Sequence, residues 1–315
     1  MPFSHHSHSG QFCGHATNTL EEVVQKAIAL KFQVFALTEH MPRDRDEDLY
    51  PEEVATSLSC ADLSSQFAAY YHEAVRLRSL YAPQIHLLIG VEIDWIRPSS
   101  QQFIESLFAA YAFDLFVGSV HHVYAIPIDY DAELYERARC CKGGGEDATD
   151  EQLFADYFDA QWEMLRALRP PVVGHFDLVR LKSRDPERSF RTWERVWGKA
   201  VRNLEFVAGY GGLVELNSAA LRKGMSEPYP KAEICEAFLA MGGRFTLSDD
   251  SHGVEQVGAN YGRVLDFVEA VGIREISYLE RGEKITGEKT ADERFRGVST
   301  SAISLSELRK HAFWT

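Results

Sequence analysis

Short apolar runs alternate with longer amphipathic stretches along almost the whole chain. The runs "FSHHSH", "FQVFALTEH", "IHLLIGVEID", "FDLFVGSVHH", "PPVVGHFDLV", "GGLVELN", "GRFTLSDDSH" and "GIREISYL" have the length and apolar content of buried parallel strands. Between them the period switches to that of a helix. In "TNTLEEVVQKAIALK", Leu20, Val23, Val24, Ala27 and Ile28 form one apolar stripe, and Thr19 with Glu22 predicts a capping box at its start. Further helices are predicted to begin near Ser64, Gln101, Asp150, Ser189, Pro230 and Val257.

A βα order repeated about seven or eight times favours a closed or nearly closed βα barrel over an open doubly wound sheet. The missing GxGxxG loop after the first strand argues in the same direction. One connection is long: residues 123–150, "VYAIPIDYDAELYERARCCKGGGEDATD", follow the fourth strand, and an excursion of that length at a barrel's strand ends is expected to act as a lid. The boundaries drawn are a barrel domain over 1–280 and a tail over 281–315. That tail is polar until "LSELRKHAFWT", which is expected to form a terminal helix packed on the barrel.

Composition narrows the function classes. With 315 residues and 45% hydrophobic content the chain can bury a large core, in one domain or two. A formal net charge of −14 argues against a nucleic-acid partner, which needs an extended lysine and arginine surface. No apolar run approaches the roughly 18 to 20 residues of a membrane span, and the histidine-bearing N-terminus lacks a secretory apolar core. Five cysteines, an odd number without a CxxC pair, indicate neither a disulfide framework nor a thiolate zinc site. A cytoplasmic location is therefore expected, and oligomeric state is not written in the sequence.

The chemistry lies in position. Histidines or carboxylates stand at the C-terminal end of nearly every predicted strand: His6 and His8, His40, Glu92, His121, His175, Asp250 and His252. In a βα barrel these ends converge on one face. Any one of them alone reads as a hydrogen-bonded core or rim residue, but six strand ends carrying such groups do not. Side chains alternate along a strand, so His6 and His8 share a face and His5 points away; Asp250 and His252 are expected to share a face likewise. HxH and DxH are then each a chelating pair on a metal ion.

Taken in order, these motifs resemble the polymerase and histidinol phosphatase (PHP) superfamily of metal-dependent phosphoesterases, over about residues 3–279. Its pattern of metal ligands falls here on His6, His8, His15, His40, Glu92, His121, His175, Asp250 and His252. Within it, "SHSGQFCGHATNTLEEVV", "TEHMPR", "GVEIDW", "GSVHHV", "IPIDYD", "VGHFDL", "ELNSAALRKG" and "SDDSHGVEQVG" are similar to the histidinol-phosphate phosphatases of the fungal and bacterial histidine pathway. The resemblance implies a single-domain α/β fold, a distorted (β/α)7 TIM-like barrel with its metal site at the C-terminal strand ends. It also implies two or three divalent ions, with three favoured, of zinc, iron or manganese.

Three such ions beside two carboxylate ligands, Glu92 and Asp250, would give the centre a formal charge of about +4, enough for an acidic protein to bind a phosphomonoester. The implied reaction is in-line hydrolysis of L-histidinol phosphate by a metal-bridging hydroxide. Arg180, and behind it Arg222 and Lys182, are the candidates for holding phosphate. Glu215, Asn217 and Asp129 are candidates for the ammonium and imidazole of the substrate. Glu39 and Asp249 are expected to orient ring nitrogens, with His5 and His122 as non-ligands and Cys13 as a buried or reactive thiol rather than a soft ligand. The alternatives weighed are a PHP-type phosphoesterase acting on another phosphorylated small molecule or nucleotide, an amidohydrolase, and a non-catalytic metal-binding relic. An amidohydrolase should end its last motif in a lone aspartate and carry a lysine on a middle strand, and a relic should have lost ligands.

Overall fold

The computed structural model describes residues 2–142, 149–282, 288–289, 294–295, 297–311 and 313–314. Its strands are β1 (Phe3–Ser4), β2 (Val34–Leu37), β3 (His86–Ile89), β4 (Glu92–Asp94), β5 (Val117–Ser119), β6 (His122–Val123), β7 (Ile126–Pro127), β8 (Val172–Val173), β9 (Leu213–Asn217), β10 (Arg244–Ser248), β11 (Glu275–Arg281), β12 (Glu288–Lys289) and β13 (Val298–Ser304). Its helices are α1 (Leu20–Ala29), α2 (Pro51–Ala55), α3 (Cys60–Tyr81), α4 (Ser100–Ala110), α5 (Ala132–Arg139), α6 (Asp150–Leu168), α7 (Glu194–Tyr210), α8 (Ala219–Arg222), α9 (Ala232–Ala240), α10 (Tyr261–Val271) and α11 (Leu305–Leu308).

Parallel pairing orders the strands as β1-β2-β3 in one sheet and β10-β9-β8-β5-β4 in another. The fold is thus α/β with parallel sheets. Backbone bonds also tie the first strand region to the last: His5 N donates to Leu247 O, Asp250 N to His6 O and His8 N to Ser251 O. The segment "IHLLIGVEID" supplies β3 to one sheet and β4 to the other, and the break falls at Gly90. A Cβ there would meet Leu115 O at 2.8 Å, so glycine lets the break lie close against the backbone that leads into β5.

Helix starts follow local chemistry. Thr19 and Glu22 form the expected capping box on α1, a contribution of about 1 kcal/mol, and its Leu20, Val23, Val24 and Ala27 are buried. The helix expected near Ser64 starts earlier because Ser59 and Asp62 make a second box. Ser189 caps a short 3-10 turn, and α7 proper begins at Glu194. The core lies between strands and helices, with Phe35, Leu37, Leu88, Val117, Val173, Val214, Leu216 and Leu247 all fully buried.

Two expectations change. The end of "PPVVGHFDLV" is not strand: β8 stops at Val173, and Leu178–Arg180 is a 3-10 turn. "GIREISYL" is a strand, but antiparallel: β11 pairs along its length with β13 from the tail, Glu275 opposite Ser304 and Arg281 opposite Val298. The boundary drawn at 280 therefore falls inside a strand. The expected terminal helix is one turn, α11, after which Phe313 packs edge-on against Phe32. Of the excursion at 123–150, the β6–β7 hairpin and α5 are described, whereas 143–148 lie outside the described residues.

Candidate metal centre

Ligand-type atoms lying within 4.8 Å of one another form four groups among the described residues: His6, His8 and Asp250; His8, His40 and Glu92; Glu92, His121 and His175; and Cys13, His15, His40 and His252. All nine expected ligands are in them. They come from the ends of β1, β2, β5, β8 and β10, from β4 itself and from the loop after β1, so residues nearly 250 positions apart share one centre.

Glu92 joins the groups. Its Oε1 lies 3.2 Å from His6 Nε2, 3.4 Å from His121 Nε2 and 3.1 Å from His175 Nε2, while its Oε2 lies 3.4 Å from His8 Nε2 and 2.8 Å from His40 Nδ1. Asp250 Oδ1 lies 3.7 Å from His6 Nε2 and 3.5 Å from His8 Nε2. Two ligands about 2.1 Å from one ion at a tetrahedral angle stand about 3.4 Å apart, so these separations suit a shared cation. His6 Nε2 and both ring nitrogens of His8 and His40 are buried with no hydrogen-bond partner, which leaves them free to take a metal ion. The donor set suits divalent metals.

The paired motifs divide differently from expectation. His6 and His8 do share a group, but Asp250 and His252 fall into different ones. β10 ends at Ser248 and Asp250 sits at φ 48°, so strand alternation does not govern this pair. Gly253 follows at φ +145°, where a Cβ would lie 2.1 Å from Thr17 Oγ1; glycine lets the Asp250–His252 turn close on the loop bearing His15. His15 itself is on the rim, its Nε2 3.3 Å from Cys13 Sγ and its Nδ1 3.1 Å from Glu52 Oε1.

Buried carboxylates stand behind the rings. Glu215, expected to meet substrate, is fully buried: its Oε2 takes His6 Nδ1 at 3.1 Å and Ser248 Oγ at 2.7 Å, and its Oε1 accepts from His175 N at 2.5 Å. It contacts the His6 ring and the His175 backbone, and its full burial is at odds with the substrate contact expected of it. Asn217 is likewise buried, donating to Glu215 Oε1 and accepting from Ala219 N, so it too leaves the substrate list. Glu39 Oε2 lies 3.6 Å from His8 Nδ1, while its Oε1 accepts from Ser9 N and Oγ. Asp249 does not orient a ring; it accepts from Ser4 Oγ, Ser251 N and Gly258 N and shapes the backbone. Asp94, which the sequence reading missed, approaches both His121 and His122 through Oδ1 and faces Arg43 through Oδ2. Its strand parity with Glu92 in "GVEIDW" was the available signal.

Electrostatics separates the rings. Burial pushes His8 down, but the nearby carboxylates of Asp250, Glu39 and Glu92 outweigh it and bring the ring up to about 9. His121, buried as well, is raised to about 9 by Glu92 and Asp94. His40 falls to about 3, through burial first and then the charge of His8, whose ring stacks on it at 4.2 Å. Burial opposes ionisation of Glu92 and Asp250, yet the surrounding imidazoles hold both well below the carboxylate range.

A cavity of about 330 Å³ opens onto the centre. Donors His15, His40, Glu92, His121, His175, Asp250 and His252 line it together with Arg222, Lys223, Glu52, Asp129, Tyr50 and Tyr130. Of the residues expected to contact substrate, Arg222 and Asp129 lie on this cavity. Arg180 does not: it is fully buried, bonded to Asp177 and to the carbonyls of Glu227 and Pro228, over the Tyr229 ring. The 3-10 turn at Leu178–Arg180 carries it into the protein, and Lys182 is not on the cavity lining either. Lys223, Glu52, Tyr50 and Tyr130 escaped the sequence reading. Lys223 follows Arg222 in "ALRKG", and Tyr130 follows Asp129.

An α/β fold that gathers histidines and carboxylates at the ends of parallel strands defines a metal-binding protein of the PHP type. The PHP domain family matches residues 4–219, and the chain belongs to that family. It is 46% identical over 283 residues to the Schizosaccharomyces pombe protein named "Probable histidinol-phosphatase", covering 90% of each chain. It is 34% identical to the histidinol-phosphatase of Saccharomyces cerevisiae over 89% of this chain and 92% of that one. The solved histidinol phosphate phosphatase of Lactococcus lactis, complexed with zinc, L-histidinol and phosphate, shares the fold with a TM-score of 0.67 at 19% identity, over 87% of this chain and 95% of that one. The family resemblance carried by the motifs is thereby borne out.

Proposed function

We propose that this chain is a metal-dependent histidinol-phosphatase that hydrolyses L-histidinol phosphate to L-histidinol and phosphate in histidine biosynthesis. The observation that carries the reading is Glu92, whose two oxygens meet different histidine groups at the base of a cavity that also holds Arg222 and Lys223. The names of the two yeast relatives and the ligands of the Lactococcus lactis structure support the substrate.

His6, His8, His15, His40, Glu92, His121, His175, Asp250 and His252 would hold three divalent ions, zinc being the metal in the structural neighbour. Bound there, such ions lower the pKa of water and neutralise charge on phosphoryl oxygens. The chain's own groups do the rest. Glu92 and Asp250 stay ionised, and Glu215 fixes the His6 ring and the His175 backbone. Arg222, anchored to the carbonyls of Asp249 and Asp250, places a guanidinium at the cavity beside the Lys223 ammonium, where a phosphate dianion needs cations. In the reaction water oxygen adds to phosphorus, the ester P–O bond breaks, and the alcohol leaves with a proton.

We further read the parallel strands as a distorted (β/α)7 barrel. The β1–β10 backbone bonds and the division of one segment into β3 and β4 support closure. The excursion after β5 reads as a cover, since it brings Asp129 and Tyr130 to the cavity. A cytoplasmic enzyme suits the five free cysteines.

The test is elemental analysis of purified protein paired with phosphate release from L-histidinol phosphate, nucleotides and simple sugar phosphates. Three ions per chain and turnover selective for L-histidinol phosphate are expected. Equal turnover of the other esters would replace this reading by a broader phosphoesterase.

A further inference from the structure

The sequence leaves Cys13 outside the coordination of the centre, whereas the structure puts its sulfur among three imidazoles. The ligand atoms of Cys13, His15, His40 and His252 all lie within 4.8 Å of one another. Cys13 is no surface thiol, being only 7% exposed. Its loop is drawn shut at Gly10, whose N donates to Thr17 O and where a Cβ would lie 2.6 Å from Thr17 Cα. Thr17 N donates in turn to His252 O, and Cys13 N to Ser9 O. One backbone frame thus carries both the sulfur and the last histidine.

The rings around the sulfur are independently arranged as donors. His15 Nδ1 meets Glu52 Oε1 at 3.1 Å, and His252 Nδ1 meets the carbonyl of Asp250 at 2.9 Å. Such contacts keep the proton on Nδ1 and leave the Nε2 lone pair for a metal. The His40 ring, with both nitrogens buried and unpartnered, adds a third donor. His15 Nε2 lies 3.3 Å from Cys13 Sγ. A sulfur about 2.3 Å and a nitrogen about 2.1 Å from one tetrahedral zinc stand about 3.6 Å apart, close to that separation. A plain hydrogen bond from the thiol would account for this one pair but would leave His40 without a partner.

We propose that Cys13 is a fourth donor of the rim ion, so that one thiolate and three imidazoles hold a thiophilic divalent metal there, zinc in preference to manganese. This rests on the reading of the cluster as a metal centre. Binding breaks the S–H bond and forms a sulfur–metal bond, and the proton passes to solvent. Thiolate is a soft ligand that favours zinc, whereas the inner groups offer only imidazole and carboxylate, which accept harder ions as well. The rim is then the place where the chain selects its metal.

Cobalt(II) loaded into metal-stripped protein reports sulfur directly, through a sulfur-to-metal charge-transfer band in the near ultraviolet. Wild type is expected to show the band and Cys13→Ser to lose it, with the inner ions retained by elemental analysis. A band of equal strength in Cys13→Ser would put the metal on another of the five cysteines and overturn the proposal, as would a cobalt-loaded wild type without the band. A wild type that takes up neither cobalt nor zinc overturns instead the metal centre on which the proposal rests. A second measurement needs no variant: X-ray absorption of zinc-loaded wild type should show one sulfur per chain at about 2.3 Å beside nitrogen and oxygen at about 2.0 to 2.1 Å, and a shell of nitrogen and oxygen alone would sink the assignment. In competition between zinc and manganese, Cys13→Ser should lower the preference for zinc at the rim at least about tenfold. An unchanged preference would remove sulfur from the selection of metal.

Discussion

The inner and outer parts of the metal-binding array are built on different foundations. His6, His8, Glu92, His121 and His175 are almost completely buried, and Glu215, Glu39 and Asp94 hold or approach their rings or backbone from behind. His15, His40 and His252 form the rim with Cys13, and their side chains are 44%, 21% and 17% exposed. The inner donor groups are fixed by strand pairing and buried carboxylates. The rim depends on loops and on a carboxylate, Glu52, that is itself partly exposed. The inner groups should therefore bind metal tightly and as a unit, and the rim should exchange.

The largest effect should come from Glu92→Gln, which weakens the residue common to two donor groups. It should lower kcat/KM by at least about 10³-fold and remove more than one ion per chain by elemental analysis. Loss of a single ion would show that the inner groups are independent. Glu215→Gln should follow, costing about 10- to 100-fold in metal affinity or activity, with activity recovered at high metal concentration. A variant with wild-type metal affinity would return Glu215 to a mere packing role.

His15→Ala should be milder. One ion should become chelator-sensitive, with a loss of about tenfold in kcat/KM that added metal reverses, since only the rim is touched. Equal sensitivity of all ions in this variant would erase the distinction between rim and interior.

The finest probe is the proton, in metal-stripped protein. His8 should keep its charge to about pH 9, so its contribution to stability is full below its ordinary value of 6.5 and is lost as pH rises through about 9. His40 works in the opposite sense: its folded value near 3 imposes a penalty that is relieved as pH rises from about 3 to 6.5. Histidine side-chain NMR titration should show the two rings far apart. Titration of both near 6.5 would contradict the geometry that separates them.

Much of the centre could be read in advance because a parallel strand makes sequence position and spatial position nearly equivalent. His6 and His8 followed from alternation, and Glu92, His121 and His175 from their places at or near strand ends. The α1 start followed from Thr19 and Glu22, whose signal is wholly local. Direction is what a sequence does not display. Arg180 has the charge to bind phosphate, but one 3-10 turn rotates it inward onto Asp177. Glu215 and Asn217 share the face expected of them and are sealed beneath the centre by their neighbours. The tail was opaque for another reason: "VSTSAIS" in β13 is a weakly apolar strand whose partner, β11, must be known before it makes sense.

That antiparallel appendage bears on the opening residues of the chain. The His5 ring meets Leu279 N through Nε2 and Thr246 Oγ1 through Nδ1, and Phe3 packs on Tyr278 at 5.1 Å. The sequence here is "SHHSH", in which a slip of one residue would present His5 and Ser7 to the metals in place of His6 and His8. By gripping Phe3 and His5 on the opposite side, β11 acts as a gauge that admits one reading frame of the first strand and rejects the next.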